Sequence, residues 1–213
     1  MPFKLSSLSL LILLAIAAPV VAGKYNPVLS PGDKSPVWKN LPGIDGKKHS
    51  LADLKKKDVI VVVFTCNSCD YAIDYEERIK AFTKKYAGKK SKVAMVAICV
   101  NKVKQDLLPA LKARAKKQKF NFLYLYDGSQ EIARKFGAIR TPEFFVLDKT
   151  RKVVYMGAMD DNTNPKKVKV NYLVDAVNST LAGKKFKTKE TVAIGCTIRF
   201  ERKRRRRRRK KTK

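Results

Sequence analysis

Short runs of unbroken apolar, β-branched residues alternate along this chain with longer segments in which apolar side chains recur every three or four positions. Val59-Ile60-Val61-Val62-Val63-Phe64 is apolar throughout, the pattern of a strand covered on both faces. From Asp70 to Tyr86 the apolar positions fall at Ala72, Tyr75, Ile79, Phe82 and Tyr86, with acids early and lysines late, which predicts one helix. Residues 93–100 predict a second strand, 107–119 a basic helix with Pro109 in its first turn, and 122–126 a third strand. A short helix over 129–136 closes at Gly137, and 143–147 and 152–156 read as a strand pair around a turn at Asp148-Lys149. A last helix is expected over 165–181 and an extended packed segment over 191–200.

Ahead of the first long strand, Asp45-Gly46 signals a turn, and Ser50-Leu51-Ala52-Asp53-Leu54 reads as a capped helical turn. Helices between the early strands imply parallel right-handed crossovers, and the adjacent late strands imply a hairpin. The expected fold class is therefore α/β, a mixed central β-sheet flanked by helices.

The two ends differ from this body. Lys4, the apolar stretch from Leu8 to Val21, and Val20 and Ala22 as small residues before a cut form a secretory signature, with cleavage expected after Ala22. An uncleaved anchor is the alternative. The expected organisation is a signal peptide at 1–22, a linker at 23–34, one domain at 35–200 and a disordered basic tail at 201–213. From Arg202 to Lys213 every residue except Thr212 is basic, supplying 11 of the 30 net positive charges and leaving 19 on residues 1–201. Such a tail cannot bury apolar surface, and it suits an anionic polymer or membrane surface; nucleic acid is the less favoured partner, since no aromatic beyond Phe200 is placed to stack on bases.

The chemistry-bearing motif is Cys66-Asn67-Ser68-Cys69, placed where the first long strand turns into a helix, the setting in which helical N–H groups stabilise a thiolate. His49 is the only histidine, which nearly excludes Ser/His/Asp triads and multi-histidine metal sites. Export to an oxidising compartment would let Cys66 and Cys69 exist as a disulfide.

The motif, together with Gly46-Lys47 through Leu54, Tyr124-Leu125-Tyr126-Asp127, Gly137-Ala138-Ile139-Arg140-Thr141-Pro142-Glu143, Gly157-Ala158-Met159-Asp160-Asp161-Asn162 and Gly195-Cys196-Thr197-Ile198, resembles the thioredoxin-like superfamily. Within it the chain is most similar to the redoxin branch, the peroxiredoxin-like proteins of alkyl hydroperoxide reductase and thiol-specific antioxidant type. The resemblance covers roughly 35–200. It implies a thioredoxin-like fold, a cis Thr141-Pro142 bond facing the cysteines, and a thiol-disulfide oxidoreductase acting on protein disulfides or dithiols without a cofactor. Cys66 would be the exposed nucleophile, Cys69 the more buried resolving thiol, and Pro142 the residue shaping the substrate groove beside Thr141. Two positions depart from the pattern: Ser68 stands where histidine is expected and Asp70 where proline is expected, and the negative charge of Asp70 is expected to raise the Cys66 pKa.

Alternatives remain open at this level. In a peroxidase reading a cysteine forms a sulfenic acid that a second thiol condenses into a disulfide, with Arg140 polarising the oxidised sulfur. In the peroxiredoxins the attacking residue aligns with Cys69 and threonine occupies the place of Cys66, which argues against that reading. The fold could also be a non-catalytic scaffold localised by its tail, or the pair could be an inert disulfide or half of a zinc site completed by Cys99 and Cys196. Cys99 is either a buried filler or a neighbour of the motif, and Cys196 either pairs with it or adds a resolving thiol. Asp160-Asp161-Asn162 reads as a solvated loop, and the Asn178-Ser179-Thr180 sequon carries no functional weight.

Overall fold

The structure is a computed structural model, and it describes residues 23–88 and 90–202. The expected signal segment at 1–22 and the tail from 203 onward lie outside the described residues. A hairpin of β1 (Leu41–Pro42) and β2 (Lys48–His49) turns at Gly46, whose φ of 81° suits glycine. The 3-10 turn Leu51–Leu54 follows, with the Asp53 carboxylate accepting the Ser50 N–H at 2.7 Å.

Beyond it come β3 (Val59–Phe64), α1 (Asp70–Asp74), α2 (Glu76–Tyr86), β4 (Val93–Cys99), a 3-10 turn at Lys104–Asp106, α3 (Leu108–Gln118) and β5 (Leu123–Tyr126). The chain continues through α4 (Glu131–Phe136), β6 (Arg140–Thr141), β7 (Glu143–Leu147), β8 (Val153–Gly157), a 3-10 turn at Pro165–Lys167, α5 (Tyr172–Leu181) and β9 (Cys196–Thr197). The central sheet has the order β5-β4-β3-β7-β8, with β3, β4 and β5 parallel and β7 and β8 joined as an antiparallel hairpin. This is the thioredoxin-like mixed sheet.

The period of two in β3 sorts its side chains. Val59, Val61 and Val63 pack with Ile79, Phe82, Leu111, Leu173 and Val177 on one face, while Ile60, Val62 and Phe64 pack with Trp38, Leu51, Ile132 and Phe136 on the other. Right-handed crossovers that step in one direction, β3 to β4 to β5, place α2 and α3 on the same face, and α4 passes to the opposite one. All six β3 residues are buried, which is why the run carries no alternation.

Four expectations change. The helix expected over 70–86 is interrupted at Tyr75, where the Tyr75 N–H closes a tight turn on Ala72 O at 3.3 Å. The side chain of Tyr75 is pinned there: its hydroxyl donates to Asp160 Oδ1 at 2.8 Å, and the Arg78 guanidinium lies 3.5 Å over its ring. Asp160 is accordingly buried rather than solvated, and it also accepts from Arg78 at 2.7 Å. Asp161 and Asn162 keep loop roles, Asp161 accepting the N–H groups of Lys169 and Val170 and so separating the 3-10 turn from α5 where one helix over 165–181 was expected. Residues 23–34, expected as a linker, lie against the domain: Leu29 is buried, Asn26 Nδ2 donates to Phe136 O, and Glu190 accepts the N–H groups of Lys24, Tyr25 and Asn26. Among the described residues no helix is long and apolar enough to cross a membrane.

Candidate active site

The β3 strand ends at Phe64, and the chain turns through Thr65 into the Cys66–Cys69 loop that opens α1. Antiparallel pairing of Phe64 with Glu143 brings Thr141 and Pro142, just before β7, against this loop, and the Thr141–Pro142 peptide is cis as the resemblance implied. Both sulfurs converge on Thr141. Cys66 Sγ lies 3.5 Å from Thr141 Oγ1, and the Cys69 thiol donates to Thr141 O at 3.0 Å. All four cysteines are free thiols.

Cys69 is the more buried of the pair, as expected, but Cys66 is not exposed: Cys69 is 1% and Cys66 3% exposed. Hydrogen bonding between the two thiols lets one sulfur carry charge at the expense of the other. Cys66 is the one pushed up, by its bond to Cys69, by burial and by the Asp106 carboxylate. Cys69 is held well below the ordinary thiol range, first by the Cys66 S–H; burial opposes this, and Cys196, the Thr141 hydroxyl and the Ala72 N–H reinforce it. The Thr141 carbonyl favours the protonated thiol of Cys69, but it is one acceptor against several donors.

Asp106 was not singled out from the sequence, although it is the only acidic residue between Glu77 and Asp127. It is fully buried, and its Oδ1 accepts the Asn67 and Ser68 N–H groups at 2.8 and 2.9 Å. Its Oδ2 accepts the Ser68 hydroxyl at 2.6 Å and Asn101 Nδ2 at 3.0 Å. The carboxylate raising Cys66 is thus Asp106, whereas Asp70, expected in that role, raises Cys196.

Cys196 stands in β9 directly opposite Thr141 in β6, and hydrogen bonding to Cys69 raises its pKa. Cys196 and Cys99 are not bonded to each other; the Cys99 thiol is fully buried on β4, pushed above the ordinary range by burial, and donates to Asp106 O at 3.6 Å. Arg140 donates to Gly195 O and Thr197 Oγ1, which clamps β9 and turns the guanidinium to that strand. Glu143, buried beside Pro142, accepts the Ile139 and Arg140 N–H groups, and burial raises its pKa to about 7 against those donors. Among the described residues no three His, Cys, Asp or Glu side chains are arranged to hold a metal ion.

Residues 30–174 match the Redoxin family, and the chain belongs to it. Among solved structures it resembles a hypothetical protein from Sinorhizobium meliloti (31% identity, TM-score 0.75, covering 83% of this chain and 97% of that one). It also resembles an uncharacterized conserved protein from Geobacillus kaustophilus (28% identity, TM-score 0.76, 83% and 95%). A thiol:disulfide interchange protein of the thioredoxin family from Chlorobium tepidum shares the fold at 21% identity and a TM-score of 0.56, covering 72% of this chain and 99% of that one. No curated protein matches the chain.

Proposed function

We propose that this redoxin-family protein is a thiol-disulfide oxidoreductase whose Cys66–Cys69 pair cycles between dithiol and disulfide, with a protein disulfide or dithiol as its partner. The observation that carries the reading is the convergence of both sulfurs on Thr141 beside the cis Pro142. Formation of the disulfide releases two electrons and two protons to the partner disulfide, which is reduced to two thiols; the reverse oxidises a partner dithiol. The donors around Cys69 and the carboxylate near Cys66 favour Cys69 as the attacking thiolate, in place of the Cys66 expected from its position in the motif. The peroxidase alternative draws no support from Arg140, whose hydrogen bonds go to β9.

The test is equilibration of the protein in glutathione or dithiothreitol buffers with free thiols counted against Cys69→Ser. A reversible two-electron transition lost in that variant supports exchange, and a pair that never oxidises refutes it. Residues 1–22 support export and 202–213 an anionic surface as the tail's ligand. The sequenced N-terminus of the exported chain checks the first. Deletion of 202–213, lowering binding to anionic vesicles at low salt while exchange persists, checks the second.

A further inference from the structure

The two motif sulfurs are almost inaccessible, so a partner disulfide cannot meet either without rearrangement of what covers them. What flanks them is the chain's own C-terminal segment. β9 pairs antiparallel with β6, Thr141 opposite Cys196, and Thr141 is the residue both motif sulfurs touch. The segment is seated by several contacts: Ile198 is buried and its N–H donates to Ile139 O at 3.0 Å, while Arg199 N donates to Asn101 Oδ1 at 2.9 Å. Gly195 permits the approach, because a Cβ there would stand 2.0 Å from Thr141 O and 3.1 Å from Pro142 N. Cys196 is half-buried, more open than the other three thiols, and stands opposite Thr141, whose carbonyl accepts the Cys69 thiol at 3.0 Å.

We propose that Cys196 is a third redox-active thiol, exchanging with the Cys66–Cys69 disulfide at the Cys69 sulfur, so that β9 acts as an internal substrate linking the buried pair to the outside. The step is isoelectronic. Cys196 thiolate attacks Cys69 Sγ, the Cys69–Cys196 bond forms as the Cys66–Cys69 bond breaks, and Cys66 departs with the electron pair and takes up the proton that Cys196 gave up. In the reducing direction, Cys196 attacks the partner disulfide to give a mixed disulfide. Cys69 thiolate then attacks Cys196 Sγ and releases the partner thiol, and Cys66 displaces Cys196 from Cys69. This inference rests on the Cys66–Cys69 pair being redox-active.

The experiment is disulfide mapping of the full chain, alkylated after equilibration across glutathione buffers, in wild type and in Cys66→Ser. Wild type should yield the Cys66–Cys69 linkage together with a minor Cys69–Cys196 linkage at intermediate poise. Cys66→Ser should lose two of its three thiols to an intramolecular Cys69–Cys196 disulfide, leaving Cys99. A wild type that forms Cys66–Cys69 beside a folded Cys66→Ser that keeps three thiols overturns the third-thiol proposal while sparing the reading it rests on. A wild type with neither linkage overturns both. Should Cys66→Ser fail to fold, absence of the Cys69–Cys196 peptide pair from the wild-type series at every poise is itself the refutation.

Discussion

Replacing Asp106 by asparagine separates the carboxylate's hold on the loop from its charge. Hydrogen bonds to a charged acceptor contribute about 1.5–3 kcal/mol each, against about 0.5–1.5 kcal/mol for neutral ones. Asparagine keeps one carbonyl oxygen for the Asn67 and Ser68 N–H groups, so each of these bonds weakens by about 1 kcal/mol. Its NH2 then faces the Asn101 amide that now donates, and that bond is lost unless Asn101 turns. The expected cost is about 3 kcal/mol, out of a total stability of roughly 5–15 kcal/mol for a domain. In a domain of this size that lowers Tm by about 6–12 °C.

The same change removes a negative charge that raises Cys66, so the second ionisation of the reduced pair, that of Cys66 after Cys69, should move to lower pH than in wild type. Urea unfolding of the reduced protein and a thiol titration read the two effects separately. A midpoint shift worth less than about 0.5 kcal/mol, the range of an ordinary surface substitution, refutes the buried-clamp argument. A titration that moves upward refutes the electrostatic one.

Three further perturbations follow from buried polar groups and one close approach. Arg78→Ala strips Asp160 of its ion pair and removes two further hydrogen bonds, to Asn162 O and Thr163 O, and should cost about 3–5 kcal/mol in denaturant unfolding; a loss under about 1 kcal/mol would show that the pair is solvated. Glu143, with a folded pKa of about 7 against an ordinary 4.5, is favoured protonated in the fold. Its contribution is therefore full below the unfolded value and is lost as pH rises towards the folded one, about 3 kcal/mol between pH 4.5 and 7; Glu143→Gln should flatten that slope, and an unchanged slope counts against the assignment. Gly195→Ala forces β9 away from Thr141 at a cost of about 1–3 kcal/mol, and amide exchange at Ile198 should quicken; unaltered protection there would mean the backbone absorbs the methyl elsewhere.

What could be read from the chain follows physical range. The β3 run was legible because a strand buried on both faces has to be apolar at every position, and the β7–β8 hairpin because two apolar runs flank Asp148-Lys149. The break at Tyr75 was not, since the spacing Ala72, Tyr75, Ile79 continues the helical stripe across it; what fixes it is Asp160, 85 residues away. Asp160 in turn sits in an Asp-Asp-Asn run whose composition signals a loop, and nothing local announces Arg78. β9 is two residues long and has no periodicity to detect, so the position of Cys196 against Cys69 depended on knowing where β6 runs.

Asp106 also explains why the motif's charge does not rest where its order suggests. A thiolate on Cys66 would draw on the N–H groups of Asn67 and Ser68, the first donors the loop offers after it. Asp106 already occupies both, and Ser68, standing where histidine was expected, spends its hydroxyl on the same carboxylate. With those donors taken and a fixed negative charge alongside, Cys66 serves better as a proton donor than as an anion. The charge passes to Cys69, whose pKa Cys66, Cys196, Thr141 and the Ala72 backbone lower against the effect of burial. Cys66, Cys69 and Cys196 all meet at Thr141, and in the proposed exchange Cys69 is the sulfur across which Cys66 and Cys196 displace one another. A three-thiol exchange needs its central atom to be both attacking and attacked, and the buried acid selects that atom.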